Sequence, residues 1–572
     1  MRVNFIGSFG KNTGVSQDVS ILHGLVAHVL DKDAQVRHIP HRFPACPQAE
    51  VNFFIEVINP AMFIYAAKNI WIPNPEWTYQ TWEPYAKMVD EIWVKTQDAA
   101  TLFEKWVPAE KVKLVGWTSI DKEYPTLGSK DPKKAIVPVG KNIWRHPKPI
   151  LQAYSRIFMQ KPDDYAKLPH LTIVHVPSNV PIPEIAEAIR SKVTVRSEVI
   201  PDEEYKALLH ECGAVVCMSA AEGFGHAVNE ALSSGCIPIL SPIQPFREMV
   251  KDALWVSNAK VVDHPQCMGV LEDVDVDSLA DALIAYTRLT PDDHRNLTMN
   301  SRESYEDRHE AFVKNMLARL DRLFTGLPPH VLEEKLPKEA DLPPVSIITL
   351  TRDRRSFIPL AKYCFLAQTY PEHLLEWVII DDGMDPIKDL VSDMPNVTYI
   401  LLDKPLSIGA KRNVAIMKAK HDILVMMDDD DVYPNNSVVA RVAHMLAEPK
   451  KECLFSTVLP CYEIHDTKSF MNVPPITLPM SQRVSEATLC FTRAFWQQQP
   501  FPDQQIAEGD AFIRGREQMC RELSPQDVIV SLCHKKTTSS RKPPAGMEVN
   551  GSHYGFSDEL FTLISEIALC ID

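Results

Sequence analysis

The chain has no long hydrophobic run. Its apolar stretches stop well short of the ~18 residues a spanning helix needs, so no membrane-spanning segment is expected. No block of Lys or Arg stands out and the net charge is −15, which argues against nucleic acid as a main partner. The 12 cysteines are scattered without a C-x-x-C pair. Neither a zinc framework nor a disulfide scaffold is expected, and they read as reduced, partly buried thiols of a cytosolic protein. The opening M-R-V-N-F-I-G-S-F-G lacks a charged region followed by an apolar one, so no secretory signal is expected and the expected location is cytoplasmic. Internal repeats and low-complexity tracts are also missing. What is present is an ordinary composition, 45% hydrophobic and 24% charged, in a chain of 572 residues. That is too long for one core and suggests about three or four compact units.

The pattern along the chain is an alternation of strands and helices. Val3 to Ile6 reads as a short strand, followed by G-S-F-G-K-N-T-G from Gly7 to Gly14 and a helical pattern from Ser16 through Leu30. Strand, glycine-rich turn and helix suit backbone amides that approach a substrate at a helix N-terminus, and they equally suit a plain tight turn. Strands at Val51–Ile58, Ile70–Pro73 and Glu91–Val94 and a helix at Gln97–Trp106 continue the series. A second series begins near Lys133. It has strands at Ala135–Val139, Leu171–Val176, Val193–Val195, Ala214–Met218 and Ile237–Leu240, and helices near Ile182–Ser191, Glu203–Cys212 and Ala227–Ser234. Such βαβα order predicts parallel sheets. Residues 326–344 carry five prolines and no apolar periodicity and read as a linker. A third series follows, with strands at Val345–Leu350, Val378–Ile380 and Val397–Leu402 and a helix at Gly409–Lys420.

That helix leads into H-D-I-L-V-M-M-D-D-D-D-V-Y-P, His421 to Pro434, where five apolar residues are followed at once by four carboxylates. The run has the length of a strand buried on both faces, and its acids would fall at the carboxyl end of the sheet, where open α/β sheets bind ligands. Adjacent carboxylates repel at pH 7 unless a cation is near. Hard oxygen donors without Cys or His point to Mg²⁺ or Mn²⁺, ions that keep waters and substrate phosphates as further ligands. A solvated acidic turn is the plainer alternative.

Residues Val345 to His534 resemble the family 2 glycosyltransferases of the GT-A fold. The resemblance rests on V-S-I-I-T-L-T-R, W-V-I-I-D-D-G, I-G-A-K-R-N, M-D-D-D-D-V-Y-P, A-E-G-D-A-F and a final histidine, in that order. It implies that Asp382, with Asp381 beside it, holds the nucleotide base or ribose, and that Lys411 and Arg412 face the nucleotide or diphosphate. Metal binding falls to Asp428 and Asp430, with Asp431 as a further acid. His534 either completes that shell or is a surface histidine. The departing diphosphate needs its charge neutralised, and the acceptor hydroxyl needs a general base. The resemblance puts that base in E-G-D, favouring Asp510. The spacing departs from the family's adjacent Glu–Asp, so Glu508 stays open.

The first 325 residues resemble family 4-like (group 1) glycosyltransferases of the GT-B fold, through E-G-F-G-H-A-V-N-E, Glu222 to Glu230. The resemblance implies that Gly223 and Gly225 let backbone approach a diphosphate at the helix N-terminus. Gly14, at the end of the first glycine-rich turn, is a further nucleotide-sugar-binding candidate from its strand–turn–helix setting. Glu230 would accept hydrogen bonds from the donor ribose, Glu222 would touch the donor sugar, and Lys141 would contact the diphosphate, assisted by Arg145 or Lys148. W-I-P-N-P-E-W stands where many relatives carry an active-site histidine, so donor binding is better supported here than catalysis.

The expected fold is α/β: two tandem doubly wound Rossmann-like domains, residues 1–132 and 133–325, then the linker and a GT-A-type domain over 345–572. The expected function is transfer of sugars from nucleotide-sugar donors to a glycan or other hydroxyl acceptor. It would use Mn²⁺ or Mg²⁺, with retention in the first module and inversion in the second. A single active GT-A module beside a degenerate GT-B-like one, or a glycan-binding scaffold without activity, are the alternatives. Nucleotidyl transfer and glycoside hydrolysis fit the two motifs less well.

Overall fold

The structure, a computed structural model, describes residues 1–9, 13–30, 34–41, 46–125, 130–177, 181–327, 341–535, 541 and 556–571. Residues 10–12 of the first glycine-rich loop and 328–340 of the expected linker lie outside the described residues. The chain divides into two compact units, one built from residues 1–331 save two short segments and the other from residues 332–572.

The first unit holds two six-stranded sheets. Strands β1 (Arg2–Gly7), β2 (Gln35–Pro40), β3 (Ala49–Ile55), β4 (Ala66–Ile72), β5 (Glu91–Val94) and β6 (Val112–Leu114) lie in the order β2-β1-β3-β4-β5-β6, and every pair is parallel. Strands β7 (Asp131–Gly140), β8 (His170–His175), β9 (Val193–Ser197), β10 (Cys212–Cys217), β11 (Ile237–Leu240) and β12 (Leu254–Trp255) form the second, in the order β12-β11-β10-β7-β8-β9, again all parallel. All residues of β3 and β10 are buried, which is why both read as unbroken apolar runs. A hairpin, β13 (Asn258–Asp263) and β14 (Val270–Val274), follows the second sheet.

The first unit departs from the sequence reading in several places. The helix expected near 182–191 is a six-residue 3-10 segment, Glu187–Lys192; Pro183 disfavours the α conformation at Ile182, which works against a helix starting there. Strand β2, whose exposed and half-buried residues give no apolar run, passed unseen. The helix Pro291–Thr325 closes the unit. Thr290 caps it through a capping box with Asp293. Its buried Phe312, Met316, Leu320 and Phe324 recur every four residues and share a core with Val3, Phe5, Val51 and Phe53 of the first sheet, so this helix returns from the second sheet to pack under the first.

The second unit is built on a mixed seven-stranded sheet. Strands β15 (Val345–Thr351), β16 (Leu375–Asp381), β17 (Val397–Leu401) and β18 (Ile423–Met426) are mutually parallel, in the order β17-β16-β15-β18. The remaining strands are β19 (Cys453–Phe455), β20 (Leu459–Glu463), β21 (Lys468–Asn472), β22 (Cys490–Thr492), β23 (Cys520–Glu522) and β24 (Ser531–Cys533). Of these, β22 joins β18 antiparallel and is followed by β19 and β23, while β21-β20-β24 form a small sheet. The fully buried β18 delivers the acidic run to the carboxyl edge of the parallel strands.

Candidate active site

At the tip of β18 the chain is pinned before the acids begin. Arg441, fully buried, donates from Nη1 to Met426 O at 2.9 Å. Asp428 N donates to the Tyr433 hydroxyl at 2.7 Å, and that hydroxyl donates to Ala487 O at 3.1 Å. The four carboxylates therefore leave a rigid turn in different directions. Asp429 Oδ1 accepts from Arg354 Nη1 at 2.8 Å, and the same guanidinium lies 2.6 Å from Asp430 Oδ2. His534 Nε2 contacts Asp430 Oδ2 at 3.1 Å, its side chain fully buried. Asp431 Oδ1 accepts from Leu532 N at 2.9 Å and from Ser531 Oγ at 3.0 Å.

Asp428, Asp430 and Asp431 each offer an oxygen, and these oxygens lie within 4.8 Å of one another. Burial pushes Asp428 up, opposed by Arg412 and reinforced by Asp430. Burial, then Asp430 and Asp428, push Asp431 well up, and burial takes Asp429 to about 7 against the pull of Arg354. Burial also raises Asp430, but the His534 hydrogen bond and the Arg354 charge outweigh it and hold the group below the ordinary range. Three desolvated, mutually repelling carboxylates with hard oxygen donors fit a divalent cation.

These acids open into a cavity of about 630 Å³ that also receives Lys411, Arg412, Glu486, Glu508, Arg352 and Arg354. The basic pair sits on the helix Ile408–Lys418, capped by Ser407, and both side chains are buried. Lys411 Nζ donates to Asp382 Oδ1 at 2.8 Å, and Asp382 Oδ2 accepts from Leu406 N at 3.0 Å. Asp381 is taken up by its own loop and the neighbouring strand, accepting from Gly383 N at 2.9 Å and from the hydroxyl of Tyr399 on β17 at 2.7 Å. Asp382 thus reaches the cavity through Lys411, while Asp381 braces the turn behind it. Arg412 Nε donates to Glu508 Oε1 at 3.0 Å and its Nη1 lies 3.8 Å from Asp428 Oδ1.

Of the two acids in E-G-D, Glu508 lines the cavity; Asp510 lies outside that lining, on Ser481 Oγ at 2.7 Å and Arg514. Sequence reasoning missed Arg354, Glu486 and Arg541. Arg354 lies within T-R-D-R-R after β15, but nothing near Glu486 marks it, because it comes from a turn before β22 that only tertiary packing brings in.

In the first unit the residues of E-G-F-G-H-A-V-N-E meet the facing sheet. Gly225, at φ +95°, opens the helix His226–Ser233, and a Cβ on Gly223 would lie 2.5 Å from Asn74 Oδ1. Gly14 begins the helix Gly14–Val29, its missing Cβ 3.3 Å from His226 Cδ2. One turn on, Asp18 Oδ1 meets His226 Nε2 at 2.8 Å and its Oδ2 meets Lys95 Nζ at 2.5 Å. Burial opposes the Asp18 charge, but Lys95 and His226 outweigh it and hold this carboxyl low.

Glu222 is clamped by Arg145, Nε at 2.6 Å and Nη2 at 3.1 Å. Glu230 accepts from Gln17 Nε2 at 2.9 Å and lies 3.7 Å from Lys122 Nζ, and burial raises its pKa. Lys141 is exposed on the loop after β7, and Lys148 is exposed in the first turn of the helix Pro147–Gln160. Glu76, in W-I-P-N-P-E-W, is 6% exposed. Its burial, together with the nearby Glu222, pushes its carboxyl up to about 8.

Two doubly wound parallel sheets followed by a mixed sheet that carries an acid-tipped strand are the architecture of a GT-B-like module joined to a GT-A-type module. The sequence comparisons give the families. Residues 186–303 match Glycosyl transferases group 1 and residues 346–491 match Glycosyl transferase family 2, so the chain carries one glycosyltransferase domain of each kind. A GDP-mannose:cellobiosyl-diphosphopolyprenol alpha-mannosyltransferase of Xanthomonas oryzae pv. oryzae is 37% identical over 90 residues, 15% of this chain and 24% of that protein. The protein of the same name from Komagataeibacter xylinus is 46% identical over 50 residues, 9% of this chain and 13% of its own. This chain thus spans about a quarter or less of the length of these curated relatives.

Among solved structures, the mannosyltransferase of Pyrobaculum calidifontis in complex with GDP-Man and Mn²⁺ is 18% identical with a TM-score of 0.29, covering 35% of this chain and 60% of its own. Sucrose-phosphate synthase from Thermosynechococcus elongatus is 13% identical with a TM-score of 0.40, covering 57% and 99%. Among the described residues no helix is long and apolar enough to cross a membrane.

Proposed function

We propose that the chain is a bifunctional glycosyltransferase, taking sugars from nucleotide-sugar donors to hydroxyl groups of a glycan or glycoconjugate. The observation that carries this reading is the cavity of the second unit. There Lys411 and Arg412 face Asp428, Asp430 and Asp431 at the end of β18, inside the family 2 domain. Cations opposite a cluster of hard oxygen donors suit a diphosphate. Asp428, Asp430 and Asp431, with His534 behind Asp430, would hold Mn²⁺ or Mg²⁺, which when bound offsets the negative charge of the departing nucleotide. Lys411, fixed by Asp382, and Arg412, fixed by Glu508, keep their charges aimed without further ordering. Asp381 holds the turn that places Asp382 near the nucleotide.

In the first unit, a donor diphosphate would meet backbone amides near the helix start at His226, where Gly223, Gly225 and Gly14 let the chain segments pack closely, with Lys141 on the adjoining loop, Glu222 toward the sugar and Glu230 toward the ribose. The names of the partial relatives make GDP-mannose the first donor to test. Cytoplasmic residence fits the eleven buried free thiols.

The test is nucleotide release by the full chain from a panel of GDP-, UDP- and dTDP-sugars, with and without EDTA. Activity that disappears in chelator, returns with Mn²⁺ or Mg²⁺ and is lost in Asp430→Ala agrees with this reading. Undiminished turnover in EDTA would remove the metal site from the mechanism. A second reading, with a degenerate first unit, is favoured by the ion pairs that already occupy Glu222 and Glu230. It predicts that Glu230→Ala leaves every transfer rate unchanged.

A further inference from the structure

The transfer proposed for the second unit needs a group to accept the proton of the attacking hydroxyl, and both acids named from the sequence are otherwise engaged. Asp510 lies outside the cavity lining, held by Ser481 and Arg514. Glu508 lines the cavity, but its Oε1 takes the Nε–H of the buried Arg412 at 3.0 Å. Between them stands Gly509. A Cβ placed there would lie 2.6 Å from Cγ1 of Val484, 2.8 Å from Oε1 of Glu486 and 3.0 Å from Cγ of Glu486. The space into which residue 509 would project a side chain is therefore shared by a Val484 methyl and the Glu486 carboxylate, the latter from the 3-10 turn Glu486–Thr488 just before β22. Gly509 N donates to Glu486 Oε1 at 3.1 Å and fixes it there. Glu486 lines the same cavity as Asp428, Asp430 and Glu508.

We propose that Glu486 is the general base of the second unit, its carboxylate delivered through the gap that Gly509 leaves. This rests on the glycosyltransferase reading above. In the step, the acceptor oxygen forms its bond to the anomeric carbon as the bond from that carbon to the diphosphate oxygen breaks. The electron pair of the broken bond leaves with the nucleoside diphosphate. The hydroxyl proton passes to the Glu486 carboxylate and later to water.

The surroundings suit the task. The charged groups facing Glu486 are Glu508 from the helix Glu508–Ile513 and Arg412 from the helix Ile408–Lys418, with Asp428 beyond Arg412. Burial, reinforced by Glu508 and opposed by Arg412, pushes the Glu486 carboxyl up to about 7, where a base is both available and strong enough near neutral pH. Glu508 takes the Arg412 hydrogen bond, which leaves Glu486 free for the proton.

The experiment uses the full chain with a donor that the panel shows it accepts, and GDP and UDP binding by calorimetry with Mn²⁺ as the control. Glu486→Gln is expected to lower kcat by about 10²–10⁴. Nucleotide affinity should stay within about twofold of wild type, and the acid limb of the kcat–pH profile near 7 should disappear. Asp510→Asn is expected to keep wild-type order of activity. Glu508→Gln serves as the second measurement, and it stands even where Glu486→Gln does not fold. Removing the negative neighbour should shift the acid limb to lower pH without abolishing it. A Glu486→Gln enzyme within about threefold of wild-type kcat overturns the proposal. Loss of the limb in Glu508→Gln or Asp510→Asn overturns it too, as does Glu486→Gln losing nucleotide binding and turnover together. A wild-type chain that releases nucleotide from no sugar donor, yet binds GDP or UDP, sinks the transferase reading itself rather than the choice of base.

Discussion

Glu76 gives a stability prediction whose sign and size follow from one buried group. It is 6% exposed, and its carboxyl titrates at about 8 in the fold against an ordinary 4.5. Between those values the folded chain keeps a proton that the unfolded chain has released, so stability falls as pH rises, at about 1.4 kcal/mol per pH unit. Below about pH 4.5 the term is fully present; above about 8 it is exhausted, a total of about 3–5 kcal/mol. Glu76→Gln keeps the shape of the neutral acid and cannot ionise. The variant should match wild type near pH 5 and exceed it by several kcal/mol at pH 8.5. Denaturant unfolding followed by tryptophan fluorescence measures this, because eight of the ten tryptophans precede residue 256 and report on the first unit. Parallel pH dependences for the two proteins would mean that Glu76 is ionised in the fold and refute the reasoning. The neighbouring Glu56, also raised by burial, should contribute the slope that remains.

Further outcomes follow from single contacts. Lys411→Met strands the buried Asp382 with only the Leu406 amide and should cost about 3–5 kcal/mol in unfolding free energy, most of it recovered by adding Asp382→Asn. Gly223→Ala drives a methyl onto Asn74, 2.5 Å from its Oδ1 and 2.7 Å from its Cβ, and should destabilise the first unit by about 1–3 kcal/mol. Thermal unfolding checks both. A neutral Gly223→Ala would show that Asn74 moves aside at no cost.

Much of this protein was legible in the sequence because the signals are local. Parallel strands buried on both faces read as apolar runs, so β1, β3, β10, β15 and β18 could be placed, and with them the α/β class. The acids at the end of β18, the basic pair Lys411–Arg412 and the glycines around Gly225 are contiguous motifs, and contiguity is what a sequence displays. Tertiary structure alone decided how each charge is used. It turned Asp381 into a loop brace, tied Lys411 to Asp382 and Glu222 to Arg145, and set Arg354 against Asp429 and Asp430. It also carried the end of Pro291–Thr325 back under the first sheet and brought Glu486 into the space beside Gly509. Apart from the bond of Gly383 to Asp381, those pairings join residues that are well separated along the chain. Their energies depend on distance and burial, and neither quantity exists until the chain has packed.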